Sequence, residues 1–280
     1  MRTTNFILAL YALLIAGLPL AGLFNALGYS LGLAGPLATG LTDQYWRQLA
    51  AETSLLISLG FSLYVTVLSV GLAVLIALYL VLGQQFMLRR RPFPTLLYVP
   101  LLFPSLVVAF YLFQLLSGSG WISRITFALG LTNAPDAFPE LIQDGAGIGI
   151  ILAHVVLAFP FFTLLFQSLQ ADARLHDLRS LTRTLGASAG QFNRRVAAPI
   201  LLRRAAPTLV LYGVAVLGAY DIPLVLGRNY PQMLSVLITT RLQRFDLAEL
   251  PMGYLIGFLL TLFLMVIIYL TTRWTQRHAL

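Results

Sequence analysis

Residues 180–207 read SLTRTLGASAGQFNRRVAAPILLRRAAP, a basic, amphipathic stretch inside an otherwise apolar chain. From His176 to Leu185, the apolar residues Leu178, Leu181 and Leu185 recur at offsets of three and four, while Arg179 and Arg183 fall on other faces. That period predicts a short amphipathic helix. Gly186 is suited to end it in a left-handed conformation, and Ser188 with Gln191 three residues later forms a capping box that starts a second helix. Two helices meeting at a bend make a rigid basic knuckle. Pro199 is expected to stop or kink the second helix, and Pro207 to take the first turn of the apolar segment that follows.

The rest of the chain says where such a knuckle projects. Its 280 residues are 59% hydrophobic and only 10% charged, with a mean hydropathy of +0.85. A soluble protein has no use for that much apolar surface, so the chain belongs in a bilayer. Six segments approach the roughly 20 apolar residues a spanning helix needs: about 6–26, 55–82, 95–116, 147–169, 206–226 and 251–272. The expected architecture is an all-α, polytopic membrane protein with six transmembrane helices in one domain over 1–280, interrupted by a cytoplasmic loop at 170–205. Cysteine is absent, which excludes disulfide frameworks and thiolate metal sites.

A net charge of +8 raises nucleic acid as a partner, and the distribution of the charge argues against it. On one side of the six segments lie Arg2, the triplet Arg89 to Arg91, seven arginines between Arg174 and Arg204, then Arg273 and Arg277. The other side holds Arg47, Arg124, Arg228, Arg241 and Arg244 against seven acids: Asp43, Glu52, Asp136, Glu140, Asp144, Asp246 and Glu249. Arginine bias between loops sets orientation during insertion, so both termini and the knuckle are expected in the cytoplasm.

Met1-Arg2 followed by an apolar run has the look of a secretory signal. The uncharged run, however, continues from Thr3 to Thr42 without a small-x-small cleavage site before a polar start, which reads as an uncleaved first helix. Pro19, Pro100 and Pro104 predict kinks in the first and third spans. Tyr45 and Trp46 in the loop 27–54 suit the headgroup level, and the loop 117–146, with Trp121, Phe127, Phe138, Pro135 and Pro139, predicts a short interfacial helix and then an extended piece.

The knuckle resembles the cytoplasmic loop of the permease subunits of binding-protein-dependent ABC importers. Their pattern is Glu-Ala-Ala, three residues, Gly, nine residues, Ile, one residue, Leu-Pro. Here it falls on Ser180, Leu181, Thr182, Gly186, Val196, Ala198 and Pro199. Gly, Pro and spacing match; the first three positions depart, and Val196 and Ala198 replace Ile and Leu. The run Thr184-Leu185-Gly186-Ala187-Ser188 is also typical of the family. The resemblance implies a type I importer permease fold in a bacterial inner membrane, with two ATP-binding subunits, a second permease subunit and an external substrate-binding protein as partners. ATP and Mg would be bound by the ATPase, and no cofactor by this chain. The coupling residues it implies are Ser180, Leu181, Thr182, Leu185, Gly186, Ala187 and Pro199.

Sites of chemistry are not visible. There is no lysine for a phosphate-binding loop, and Gly145, Gly147 and Gly149 follow no strand, so they are expected to serve close helix contact. His154, His176 and His278 lie far apart in the expected topology. For the substrate pathway, the candidates are Asp221, a carboxylate within a span, its neighbours Tyr220 and Pro223, and His154 and Phe159 in the fourth span, where Phe161 and Phe162 add to a constriction around Pro160. Asp221 also stands close enough to the outer end to pair with Arg228 or meet water. The run Gly218-Ala-Tyr-Asp-Ile-Pro-Leu-Val-Leu-Gly227 with Leu234-Ser-Val-Leu-Ile238 resembles permeases of the polyamine group, and also those for ferric iron, thiamine and aminoethylphosphonate. An ion-gradient-driven secondary transporter is the competing class, but only two ionisable groups lie inside the spans and no internal repeat is visible.

Overall fold

The computed structural model describes residues 2–38, 40–90, 92–134 and 137–277. Arg91, Pro135, Asp136 and His278, used above, lie outside them. Among the described residues all regular structure is helical: α1 (Arg2–Ser30), α2 (Gln44–Ala50), α3 (Thr53–Leu78), α4 (Gln85–Arg89), α5 (Phe93–Tyr98), α6 (Ser105–Leu116), α7 (Trp121–Ala128), α8 (Ile148–Asp172), α9 (Leu175–Thr184), α10 (Ala189–Phe192), α11 (Ala198–Leu217), α12 (Asp221–Leu226), α13 (Leu234–Leu242) and α14 (Glu249–Arg277). Six helical segments are long and apolar enough to cross a membrane: Leu13–Ser30, Thr53–Gly83, Ser105–Ala128, Ile148–Asp172, Ala189–Leu217 and Glu249–Arg273.

Two of these differ from the sequence expectation, and proline and glycine explain both. The third segment is not one helix over 95–116. Pro100 opens a 3₁₀ turn, Phe103 is extended, and Pro104 stands just before α6, so the anticipated kinks are complete breaks. The fifth segment starts earlier and ends sooner than 206–226. Pro199 neither stops nor sharply kinks it but sits in the first turn of α11, while Pro207 lies inside that helix rather than at its start. Ahead of Pro199 the chain widens into a π turn, Asn193–Ala197, in which the Ala198 amide bonds the Asn193 carbonyl. The wider turn accommodates a ring that would otherwise crowd the carbonyl four residues back. At the other end the helix stops at Leu217, and Gly218, Ala219 and Tyr220 separate it from α12.

The chain divides into two compact units. One comprises the residues up to Ser58 together with Leu234–Ile267. Within it, Tyr29 and Tyr254 bring their rings to 4.2 Å, and Gly253 lets α13 approach closely, since a Cβ there would meet Leu242 at 2.9 Å. The other, Leu59–Met233 with the end of α14, holds two cores. The first joins Ala73 and Ala77 of α3 to Ala158, Phe162 and Phe166 of α8 and to Leu201 and Ala205 of α11. The second joins Phe61 and Val65 of α3 to α6, the start of α8 and Ile222 and Leu226 of α12. Small residues in such contacts let helices approach where lipid removes most of the hydrophobic drive. Gly147, with φ at +68°, begins α8 against Phe61 of α3, and Gly149 lies where a Cβ would strike the Leu141 carbonyl of the preceding loop.

Candidate functional site

The knuckle forms as its sequence dictates. α9 covers Leu175–Thr184, and Gly186 ends it at φ +82°. The Gly186 amide donates to the Arg183 carbonyl and the Ala187 amide to the Thr182 carbonyl, each at 3.0 Å, the two bonds of a Schellman motif. One residue later Ser188 closes the expected capping box: its Oγ accepts from the Gln191 amide at 3.2 Å, and its own amide donates to Gln191 Oε1 at 2.9 Å. No residue is free to swing between the two caps.

The apolar stripe faces outward. Leu175 is buried and anchors the start of α9, whereas Leu181 is 61% and Leu185 79% exposed. Ser180, in the position where the importer pattern has Glu, is exposed, and its Oγ donates to the Asp177 carbonyl of its own helix at 2.7 Å. Thr182 does likewise to the Arg179 carbonyl at 3.0 Å. Arg183 near the end of α9, and Arg194 and Arg195 after α10, are exposed as well. The second arm is continuous with the fifth membrane segment, Ala189–Leu217.

Two contacts fasten the knuckle to the chain just after α3, neither anticipated from sequence. After α3 the chain widens into a π turn, Tyr79–Gly83, and leaves helical geometry at Gln84. The Leu82 carbonyl, left without a helical donor, accepts from Asn193 Nδ2 at 3.0 Å, and Arg179 Nη1 reaches Gln85 Oε1 at 3.3 Å. An Asn at the start of an arginine-rich helix was the available signal, but its partner lies 111 residues away.

The pathway residues separate into groups. Asp221 does not lie within a long span; it is the first residue of α12, exposed, and Oδ2 accepts from Ser105 Oγ at 2.9 Å rather than meeting Arg228 in an ion pair. Ser105 begins α6. The breaks of the third and fifth segments therefore come together, and each places the N-terminus of a short helix beside the same carboxylate, where the helix dipoles favour negative charge. Tyr220 precedes α12, and Pro223 is buried inside it with its carbonyl taken by the Gly227 amide at 2.9 Å. His154 is buried in α8, and its Nε2 meets no hydrogen-bond partner among the described residues. Phe159 is half-buried, while Phe162 is fully buried against Phe166 and Tyr212, a core position. Among the described residues no hydrogen bond or ion pair joins His154 to Asp221.

A charged cluster went unread in the sequence. Arg241 of α13, only 11% exposed in its side chain, pairs with Glu52 before α3 and with Glu249 at the start of α14, the latter at 3.1 Å; Arg244 also reaches Glu249 at 3.1 Å. Among the described residues no group of His, Asp and Glu is arranged to hold a metal ion.

Residues 80–279 match the family model described as the binding-protein-dependent transport system inner membrane component. Two solved structures resemble the whole chain. One is a bacterial ABC transporter involved in the import of the acidic polysaccharide alginate, with a TM-score of 0.71 at 16% identity over 99% of this chain and 94% of that one. The other is a bacterial alginate ABC transporter in complex with an alginate pentasaccharide-bound periplasmic protein, with a TM-score of 0.69 at 16% identity over 99% and 93%. At that identity the likeness is one of fold, the type I importer permease. The sequence finds no match among curated proteins.

Proposed function

The chain belongs to the family of inner membrane components of binding-protein-dependent transport systems, and from that premise we propose that it forms half of an ATP-driven import pathway whose motor docks on the knuckle at Leu181 and Leu185. The observation that carries this reading is the pair of exposed leucines on the last turn of α9, where a Schellman motif and then a capping box fix the bend. Apolar side chains presented on a rigid bend in water require a recessed partner. The partners are two ATP-binding subunits, a second permease subunit, as a copy or a paralogue, and an external binding protein that delivers the solute. Both termini are cytoplasmic in a bacterial inner membrane, as the arginine distribution requires.

ATP binding draws the ATPases together and carries the knuckles with them. Because the helical run Ala189–Leu217 follows Leu185 across only the capped bend Gly186–Ser188, a displacement at Leu185 is delivered through that bend to the fifth span. The breaks at Phe103–Pro104 and Gly218–Tyr220 are where the two pathway segments can bend in response, with Asp221 and Ser105 between them. Membership in this family sets aside the ion-gradient alternative.

The solute is a small cation, of which a polyamine is the reading favoured by the Gly218–Gly227 run; ferric iron and thiamine fit the same carboxylate, and a phosphonate does not. The alginate of the similar structures is an acidic polysaccharide, and at 16% identity it does not transfer to a pathway whose exposed charged residue is an acid. The test is reconstitution in liposomes with the cognate ATPase and binding protein. Uptake must require the ATPase, and ligand-loaded binding protein must stimulate ATP hydrolysis. Uptake in liposomes lacking the ATPase would overturn the reading.

A further inference from the structure

Behind the knuckle lies a cavity of about 300 Å³, bounded by the π turn after α3, by α4, by the end of α8 and by α9 and α10. Apolar residues line part of it, and its polar lining is Arg174, His176 and Arg179 from the α8–α9 corner, with the side-chain amides of Gln85, Gln167, Gln170 and Asn193. Among the described residues no carboxylate lines it, and the nearest to its basic lining is Asp177, 3.9 Å from His176. Neither Arg174 nor Arg179 forms an ion pair among the described residues, and Arg179 spends only one of its N–H groups, on Gln85 at 3.3 Å. Each guanidinium has five donors to satisfy, and a fork of this shape matches phosphate oxygens in pairs. Arg174 adopts φ +48° at the corner itself, an uncommon conformation for a side-chain-bearing residue.

We propose that this cavity binds a phosphate-bearing anion, held by Arg174 and Arg179 with amide donors from Gln85 and Gln170, and that its occupancy fastens the coupling knuckle to the end of α3. The cavity has room for a phosphate with an organic substituent. The anion thus bridges the two segments that the Asn193–Leu82 bond already joins. The phosphate can come from the headgroup of an anionic phospholipid in the adjacent leaflet or from a free phosphate ester. The cytoplasmic placement of the cavity rests on the orientation proposed above; the binding itself does not.

The purified full-length chain is titrated calorimetrically with inorganic phosphate and with glycerol 1-phosphate, and by native mass spectrometry it is tested for retention of phosphatidylglycerol against a diacylglycerol that lacks phosphate. The expected result is saturable binding of at least one phosphate probe. That binding should weaken at least tenfold in Arg174→Gln/Arg179→Gln, stay within a few-fold in Arg174→Lys/Arg179→Lys, and be unchanged within twofold in Arg194→Gln/Arg195→Gln, whose exposed side chains do not line the cavity. Retention of the lipid alone assigns the phosphate to a headgroup, and binding of the free ester assigns it to a soluble compound. Should the double glutamine variant not fold, Gln85→Glu places a carboxylate beside Arg179 and is expected to abolish binding. No binding by any phosphate probe, undiminished binding in Gln85→Glu, or an equal loss in the two glutamine pairs, the mark of diffuse basic attraction, would overturn the proposal.

Discussion

The Asn193 side-chain amide donates to the Leu82 carbonyl at 3.0 Å, joining the root of the knuckle to the last turn of the second membrane segment. It is the direct polar tie by which a push on α9 and α10 can reach α3 as well as the fifth segment. Asn193→Leu removes the donor and leaves a half-buried carbonyl unsatisfied, at a cost of about 1–2 kcal/mol. The expected phenotype in liposomes is fewer solute molecules imported per ATP hydrolysed, with the fifth segment still driven. An unchanged ratio would assign the bond a purely local role.

Gly186 separates backbone conformation from crowding. Its φ is +82° and a Cβ there would meet nothing within 4 Å, so the whole cost of Gly186→Ala is the left-handed backbone, roughly 1–2 kcal/mol. Gly186→Asn, which tolerates that region better, should retain most of the ligand-stimulated ATP hydrolysis that Gly186→Val loses. If Asn and Val were equally impaired, contact with a partner and not the bend would be what Gly186 provides.

For the pathway, Asp221→Asn keeps the shape and removes the charge. With a cationic solute, uptake should fall at least tenfold while basal ATP hydrolysis persists. Ser105→Ala deletes only the hydroxyl that donates to Asp221 and should cost no more than a few-fold, because an exposed carboxylate can turn to water. Equal uptake by wild type and Asp221→Asn would remove the carboxylate from the solute's route.

The Arg241 cluster is a stability feature. Replacing Arg241 with Met leaves Glu52 and Glu249 facing each other with side chains only 23% and 26% exposed. The loss should stay below the roughly 3–5 kcal/mol of a fully buried broken pair, since both carboxylates keep some water. Thermal unfolding of the purified chain should show Arg241→Met well below wild type and Arg244→Met, whose side chain is 55% exposed, close to it.

How much of this was legible in the chain depends on the range over which each feature is encoded. The knuckle was readable because both of its caps are local: Gly186 closes a helix through amides and carbonyls within five residues, and Ser188 pairs with Gln191 three residues away. The six segments were readable from hydropathy, yet hydropathy does not register a break, so Phe103–Pro104 and Gly218–Tyr220 were absorbed into continuous spans. Pro199 misled in the opposite direction, because the π turn at Asn193–Ala197 makes room for it. Pairings such as Ser105 with Asp221, 116 residues apart, or Arg241 with Glu52 leave no trace in spacing or period.

Because the chain contains no cysteine, a single introduced thiol reports directly on the central claim, that Leu185 enters a groove on an ATP-binding subunit. In the assembled transporter, Leu185→Cys should cross-link to a thiol placed in that groove, and added ATP should change the yield. Leu211→Cys, exposed at 53% on the fifth membrane segment, should not cross-link. A Leu185→Cys thiol that remains as open to a water-soluble maleimide with the ATPase bound as without it, and that forms no cross-link, would contradict the account.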